Sequence, residues 1–283
     1  MLGWPLSRCH WPLGLVSNCW KMQLDAGAEL DSLIAEAERR GLSVIELRQT
    51  SLGAYEAGLT FIPNAAKLAL LARQFPRIQF NIALSLPCLS GNLSPEDPIL
   101  IAGRNAAAAL AGPGEPHLRL VDLQTRPEQC TAESIDPAAR GLVDLTHSLI
   151  EIGGKLSIEH ARQPWSWFCA VMSAARQRLG NRAEQLCLCF DPCNLLLTEL
   201  VQDIAGIVES VEPQEVSMIH LKQRRDGQIQ PDVANGDLDW ASLLNVLAQR
   251  GHIGPILFEV APHADVWSNL QDAMNRYFNA IAP

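Results

Sequence analysis

Short runs rich in β-branched and apolar residues alternate with longer helical patterns eight times along this 283-residue chain, and that repetition limits the fold more than any other feature. The apolar runs fall at 13–20, 43–49, 79–87, 117–124, 155–161, 186–194, 216–223 and 255–261. Repeated βα units of this kind build a parallel sheet covered by helices. The clearest helical segments carry their own punctuation. Asp25 leads into Leu30, Leu33, Ile34 and Ala37 on one face, followed by basic Arg39 and Arg40 and the stop Gly41. A second begins at Asp239, shows Leu243, Leu244 and Leu247 on one face, and stops at Arg250-Gly251. An open doubly wound sheet would more often have fewer strands and a glycine-rich phosphate loop after its first strand, whereas strand one here ends in Ser17-Asn18-Cys19-Trp20. No linker or low-complexity tract divides the chain, and the Pro/Gly stretch at 112–116 is only loop-sized. The expectation is an α/β fold, a single-domain (β/α)8 barrel over 1–283, with 1–12 a leader to strand one.

Composition narrows the class of partner. The 22 basic and 31 acidic side chains leave a formal charge of −9, which repels phosphate backbones and disfavours nucleic acid. No stretch of 18 apolar residues is present to cross a bilayer, and the first dozen residues interrupt any apolar run with Arg8, His10 and two prolines. The eight cysteines form no CxxC pair and read as free thiols of a reducing, cytoplasmic compartment. A small-molecule substrate is therefore the expected partner, and a homo-oligomer is compatible with this reading.

In a parallel barrel the functional face is the C-terminal rim of the strands, so polar residues at the last inward position are the candidates. Alternation places Lys155, Ser157 and Glu159 on one face of strand five, Cys187, Cys189 and Asp191 on that of strand six, Val216, Met218 and His220 in strand seven, and Leu257 and Glu259 in strand eight. Asp191 follows Glu159 by 32 residues, His220 follows Asp191 by 29, and Glu259 follows His220 by 39, so one βα unit separates each from the next. Any one of them alone reads as an ion-paired acid or a hydrogen-bonded histidine. Three carboxylates and an imidazole from four successive strands are different: they would repel one another without a cation, and one divalent ion removes the conflict. The donor set suits Mn, Mg, Co or Zn, with positions open for two substrate oxygens.

These residues stand in the segments Leu156-Ser157-Ile158-Glu159-His160, Phe190-Asp191-Pro192-Cys193-Asn194, Ile219-His220-Leu221-Lys222 and Leu257-Phe258-Glu259-Val260, with Gly236-Asp237-Leu238-Asp239-Trp240 following strand seven. In that order they resemble the xylose isomerase-like sugar phosphate isomerase/epimerase superfamily of TIM barrels. The superfamily includes ketose 3-epimerases, hydroxypyruvate isomerase, inosose and dehydroshikimate dehydratases, and apurinic endonucleases. The resemblance implies metal ligation by Glu159, Asp191, His220 and Glu259, with Glu159 and Glu259 also moving protons on opposite faces of the substrate. Two departures stand out. Asn194 occupies the place of a sugar-binding His three residues after the strand-six Asp, and Gln223 replaces the Asp of the common His-x-Lys-Asp run. Strands three and four end in Ser85-Leu86-Pro87 and Asp122-Leu123-Gln124, without the histidines that a three-metal nuclease needs.

Further substrate-binding candidates line the same rim. Glu46 and Arg48 point inward from strand two, as an orienting acid and an anion clamp or as an internal ion pair. Lys222 shares a face with His220, and Arg224 follows strand seven. Asn194 retains an amide donor for a hydroxyl. Trp165, with Trp167, Trp20 and Phe61, offers flat apolar walls or merely packs helices against loops. The function expected is a divalent-metal-dependent isomerase or epimerase of a sugar, sugar phosphate or related hydroxy-carbonyl compound, working through an enediolate held at the ion. The alternatives are a dehydratase of the inosose or dehydroshikimate type, which shares the first proton abstraction, and a barrel that binds ligand without turnover.

Overall fold

A computed structural model describes residues 11–278. The expected leader over 1–12 lies outside the described residues except for Trp11 and Pro12, and so does Cys9. Eight parallel strands close a barrel: β1 (Leu13–Val16), β2 (Val44–Arg48), β3 (Gln79–Ser85), β4 (His117–Val121), β5 (Lys155–Glu159), β6 (Leu186–Phe190), β7 (Val216–Leu221) and β8 (Ile256–Phe258). Each pairs with its neighbour in sequence, and β1 closes on β8 with Leu13 opposite Ile256. Around it lie α1 (Leu30–Arg39), α2 (Ala65–Gln74), α3 (Pro98–Ala111), α4 (Ala132–Ile150), α5 (Trp165–Leu179), α6 (Ile204–Ser210), α7 (Trp240–Gln249) and α8 (Val266–Tyr277). No helix among the described residues is long and apolar enough to cross a membrane.

The two helices read from their punctuation bury the expected faces, Leu30, Leu33, Ile34 and Ala37 in α1 and Leu243, Leu244 and Leu247 in α7. Asp239 caps α7 by accepting from the Ser242 backbone N–H, and Gly41 and Gly251 take the positive φ that ends each helix tightly. The first helix starts later than Asp25, which closes a separate short turn of helix, and Glu29 stands at the N-cap position. Several strands are also shorter than their apolar runs. After Val16 the chain tightens into a 3₁₀ turn, and after Phe190 the proline at 192 and the capping carboxylate of Asp191 start a helical turn, Pro192–Leu195.

Val16, Val44, Cys189, Met218 and Leu257 form a separate buried apolar cluster among the strands. Its packing fixes Gly14, where a Cβ would lie 2.1 Å from the Val44 carbonyl oxygen and 2.6 Å from the Leu257 side chain. Only glycine lets β1 approach β2 and β8 that closely. Polar residues lie at both ends of the barrel: His117, Ser157 and Ser217 bond one another towards the N-terminal ends of the strands, and Glu159, Asp191, His220 and Glu259 meet at the C-terminal ends.

Candidate metal centre

Glu159 is the last residue of β5, Asp191 follows β6, His220 lies in β7 and Glu259 follows β8. All four are buried, and each offers a donor atom within 4.8 Å of those of the other three. His220 Nδ1 lies 3.2 Å from Glu259 Oε2 and 3.6 Å from Glu159 Oε1, yet makes no hydrogen bond. Asp191 uses Oδ1 to accept from the Cys193 and Asn194 backbone N–H groups at 2.9 and 3.3 Å. Its Oδ2 is buried without a hydrogen bond; Lys222 Nζ lies 2.6 Å away, outside hydrogen-bonding geometry, and donates to Glu259 Oε2 at 2.7 Å. A buried polar atom without a hydrogen bond is costly; His220 Nδ1 is one, and Asp191 Oδ2 has the Lys222 ammonium as its ion-pair partner.

The charge count agrees. Glu46, Glu159, Asp191 and Glu259 face Arg119 and Lys222, all buried and in contact, so four carboxylates meet two cations. With His220 neutral, two negative charges remain, which one divalent ion matches. Without an ion, protons answer part of the surplus. Burial disfavours an imidazolium, but the neighbouring Cys189, then the Glu259 and Glu46 carboxylates, hold His220 well above its ordinary range. Burial, helped by Glu159 and Glu259, pushes Asp191 up to about 6 against the pull of Lys222. Burial also opposes the Glu259 charge, yet Lys222 and His220 outweigh it and keep that carboxyl well below the usual range; at Glu159, likewise against burial, Arg119 lowers the carboxyl from its ordinary value. The residues present therefore fit a divalent ion. Cys189 also reaches this cluster, but its thiol, pushed up to about 12 by burial, stays protonated 3.4 Å from His220 Nε2.

No protein-family model matches the sequence, and no curated protein matches it either. Solved structures do. The chain superimposes on the zinc-bound IolI protein with a TM-score of 0.67 at 14% identity, over 95% of this chain and 98% of that one. A xylose isomerase domain-containing protein from Salmonella typhimurium LT2 gives 0.65 at 12% identity, over 95% and 97%. D-allulose 3-epimerase from Methylomonas sp., in complex with D-allulose, gives 0.61 at 15% identity, over 96% of each chain. The fold is that of the xylose isomerase-like TIM barrels.

Within the barrel the remaining candidates separate. Glu46 is fully buried beneath His220 and pairs with Arg119, a residue of β4 that sequence reasoning passed over. Arg48, half-buried at the end of β2, makes no side-chain hydrogen bond or ion pair among the described residues. Asn194 donates both amide hydrogens inward, to Glu159 Oε1 and the His160 carbonyl, each at 2.9 Å. Lys222 is drawn in between Asp191 and Glu259. Arg224 donates to the Leu196 carbonyl at 2.9 Å. Trp165 stacks on Phe168 at 5.6 Å and meets His160 edge-on, so it packs in the helix layer. Trp167 donates to the Thr131 carbonyl, Trp20 is fully buried against Trp267, and Phe61 is exposed. His160, assigned to packing, is buried and bonded to the Gln163 carbonyl. Gln223 is no vacant acid position: its amide bonds the Ala234 and Leu238 carbonyls and the Arg224 and Leu238 N–H groups, stapling the loop after β7.

Proposed function

We propose that this protein is a divalent-metal-dependent isomerase or epimerase of a sugar, sugar phosphate or related hydroxy-carbonyl compound. The observation that carries this reading is the convergence of Glu159, Asp191, His220 and Glu259, with His220 Nδ1 and Asp191 Oδ2 left without hydrogen bonds. Supporting it, one protein of the same fold is described with zinc and another with D-allulose. A divalent ion held by these four residues would polarise the carbonyl and neighbouring hydroxyl oxygens of such a substrate and acidify the C–H between them.

The protons are then moved by the chain's own groups. Glu159 and Glu259 flank His220 Nδ1, and both are held ionised, so each is ready to accept a proton from carbon. Glu159 is steadied by Arg119 Nη1 at 2.7 Å and Asn194 Nδ2 at 2.9 Å. Glu259 accepts from Lys222, whose long flexible stem would let the ammonium turn to a substrate oxygen were Asp191 and Glu259 to hold an ion. Arg48, whose guanidinium makes no hydrogen bond or ion pair among the described residues, would take a charged or hydroxyl end of the substrate. Arg224 and the Asn194 carbonyl are further contacts from the rim.

Two experiments follow. Because Lys222 touches the carboxylate oxygens an ion would need, Lys222→Met is expected to tighten Mn²⁺ binding by about tenfold or more in a chelator competition; weaker binding would show instead that the ammonium supports the loaded centre. Incubating the Mn²⁺-loaded protein in D2O with ketoses, their phosphates, inososes and dehydroshikimate tests the chemistry itself. At least one compound should exchange a C–H by NMR and return as an epimer or aldose–ketose isomer. Loss of water instead would make the protein a lyase, and no exchange across the panel with the ion bound would remove the catalytic reading.

A further inference from the structure

Beneath the four donor groups lies a buried charged pair that reaches two of them. Arg119 donates to Glu46 Oε1 through Nε at 3.1 Å and also through Nη2, while its Nη1 lies 2.7 Å from Glu159 Oε2. Asn81 Nδ2 donates to Glu46 Oε2 at 2.6 Å, and Glu46 Oε1 lies 3.4 Å from His220 Nε2. Arg119 is 1% exposed and Glu46 0%, so neither is open to a substrate. A buried ion pair is a weak source of stability, and apolar residues of similar volume fill such a space as well or better. Its placement against two ligands asks for another explanation.

We propose that the Glu46–Arg119 pair positions the metal ligands: Glu46 accepts the Nε2 proton of His220, which leaves the Nδ1 lone pair facing the centre, and Arg119 takes Glu159 Oε2, which leaves Oε1 facing it. The inference rests on the metal reading above. A neutral imidazole carries one donor and one acceptor, so the partner of Nε2 decides what Nδ1 can do. Glu46 Oε1 and Cys189 Sγ both lie 3.4 Å from Nε2; a carboxylate is much the stronger acceptor of an imidazole N–H, whereas a thiol donating to Nε2 would put the ring proton on Nδ1, an outcome that ¹⁵N-imidazole NMR distinguishes. Arg119 and Asn81 fix the carboxylate from both oxygens, so its direction is set by three donors and not by the histidine it orients. Glu46 and Arg119 are therefore positioning residues, acting on chemistry through His220 and Glu159.

The test compares Zn²⁺ dissociation constants of the wild type and Glu46→Gln by chelator competition, with ¹⁵N-imidazole NMR of the zinc-loaded proteins. The isosteric amide cannot accept in the same way, so affinity should fall about 10–100-fold; because its nitrogen also faces Arg119 or Asn81, the comparison is made at a temperature at which the metal-free variant is still folded by circular dichroism. In the wild type, His220, assigned with a His220→Gln variant, should carry its proton on Nε2. Arg119→Lys keeps the charge without the fork and should weaken binding less than Arg119→Met; should Arg119→Met fail to fold, Glu46→Gln and Arg119→Lys decide. Wild-type affinity in Glu46→Gln, or a wild-type proton on Nδ1, overturns the positioning role and leaves the metal reading intact. A wild type that binds no zinc overturns the metal reading itself.

Discussion

Glu159→Gln and Glu259→Gln are each expected to slow C–H exchange of the reacting substrate by about 10²–10⁴-fold, the range for removing a general base. The isosteric amide keeps the volume of the side chain but cannot take up a proton. The two replacements differ in what else they disturb. At 159, Arg119 and Asn194 donate to different carboxylate oxygens, so an amide nitrogen would face a donor in either orientation. At 259, Lys222 and His220 Nδ1 meet the same oxygen, Oε2, so an amide can keep its carbonyl oxygen there and place its nitrogen at the Oε1 position. Ion content must therefore be measured on the same samples. Exchange at the wild-type rate in either variant, with the ion still bound, would remove that glutamate from the proton transfer.

The barrel and the four donors were legible because both rest on periodicity. Eight βα repeats leave little choice of sheet, and alternation brings Glu159, Asp191, His220 and Glu259 to the inward rim of consecutive strands. What lay between strands was not legible. Arg119 stands in the otherwise apolar Leu118–Val121 stretch of β4, and an arginine there has to be buried with a partner; Glu46, in the middle of Val44–Arg48, is its complement. Both signals were present, but Glu46 was matched with Arg48 on its own strand, whereas the pairing crosses the barrel interior. Gln223 and Asn194 looked like lost functional groups because residue identity at one position does not reveal hydrogen-bond partners distant in sequence. Trp165 sits close to the rim in sequence, yet its ring follows the helix and stacks on Phe168. Strand ends were overextended for a local reason, since Asp191 turns from strand to helix cap at Pro192.

The central claim is that the four strand-end residues form one metal centre. It rests on the convergence of the four donor groups, on His220 Nδ1 buried without a hydrogen bond, and on carboxylates that outnumber the cations in contact with them. Removing Asp191 and Glu259 together takes away two of the four ligands and both partners of Lys222, leaving the lysine charge to oppose any ion at the site. Plasma mass spectrometry of protein supplemented with Mn²⁺ and then desalted measures this directly. The wild type should hold close to one ion per chain, and the Asp191→Ala/Glu259→Ala protein should hold almost none. Stoichiometric retention by the double variant would contradict the account.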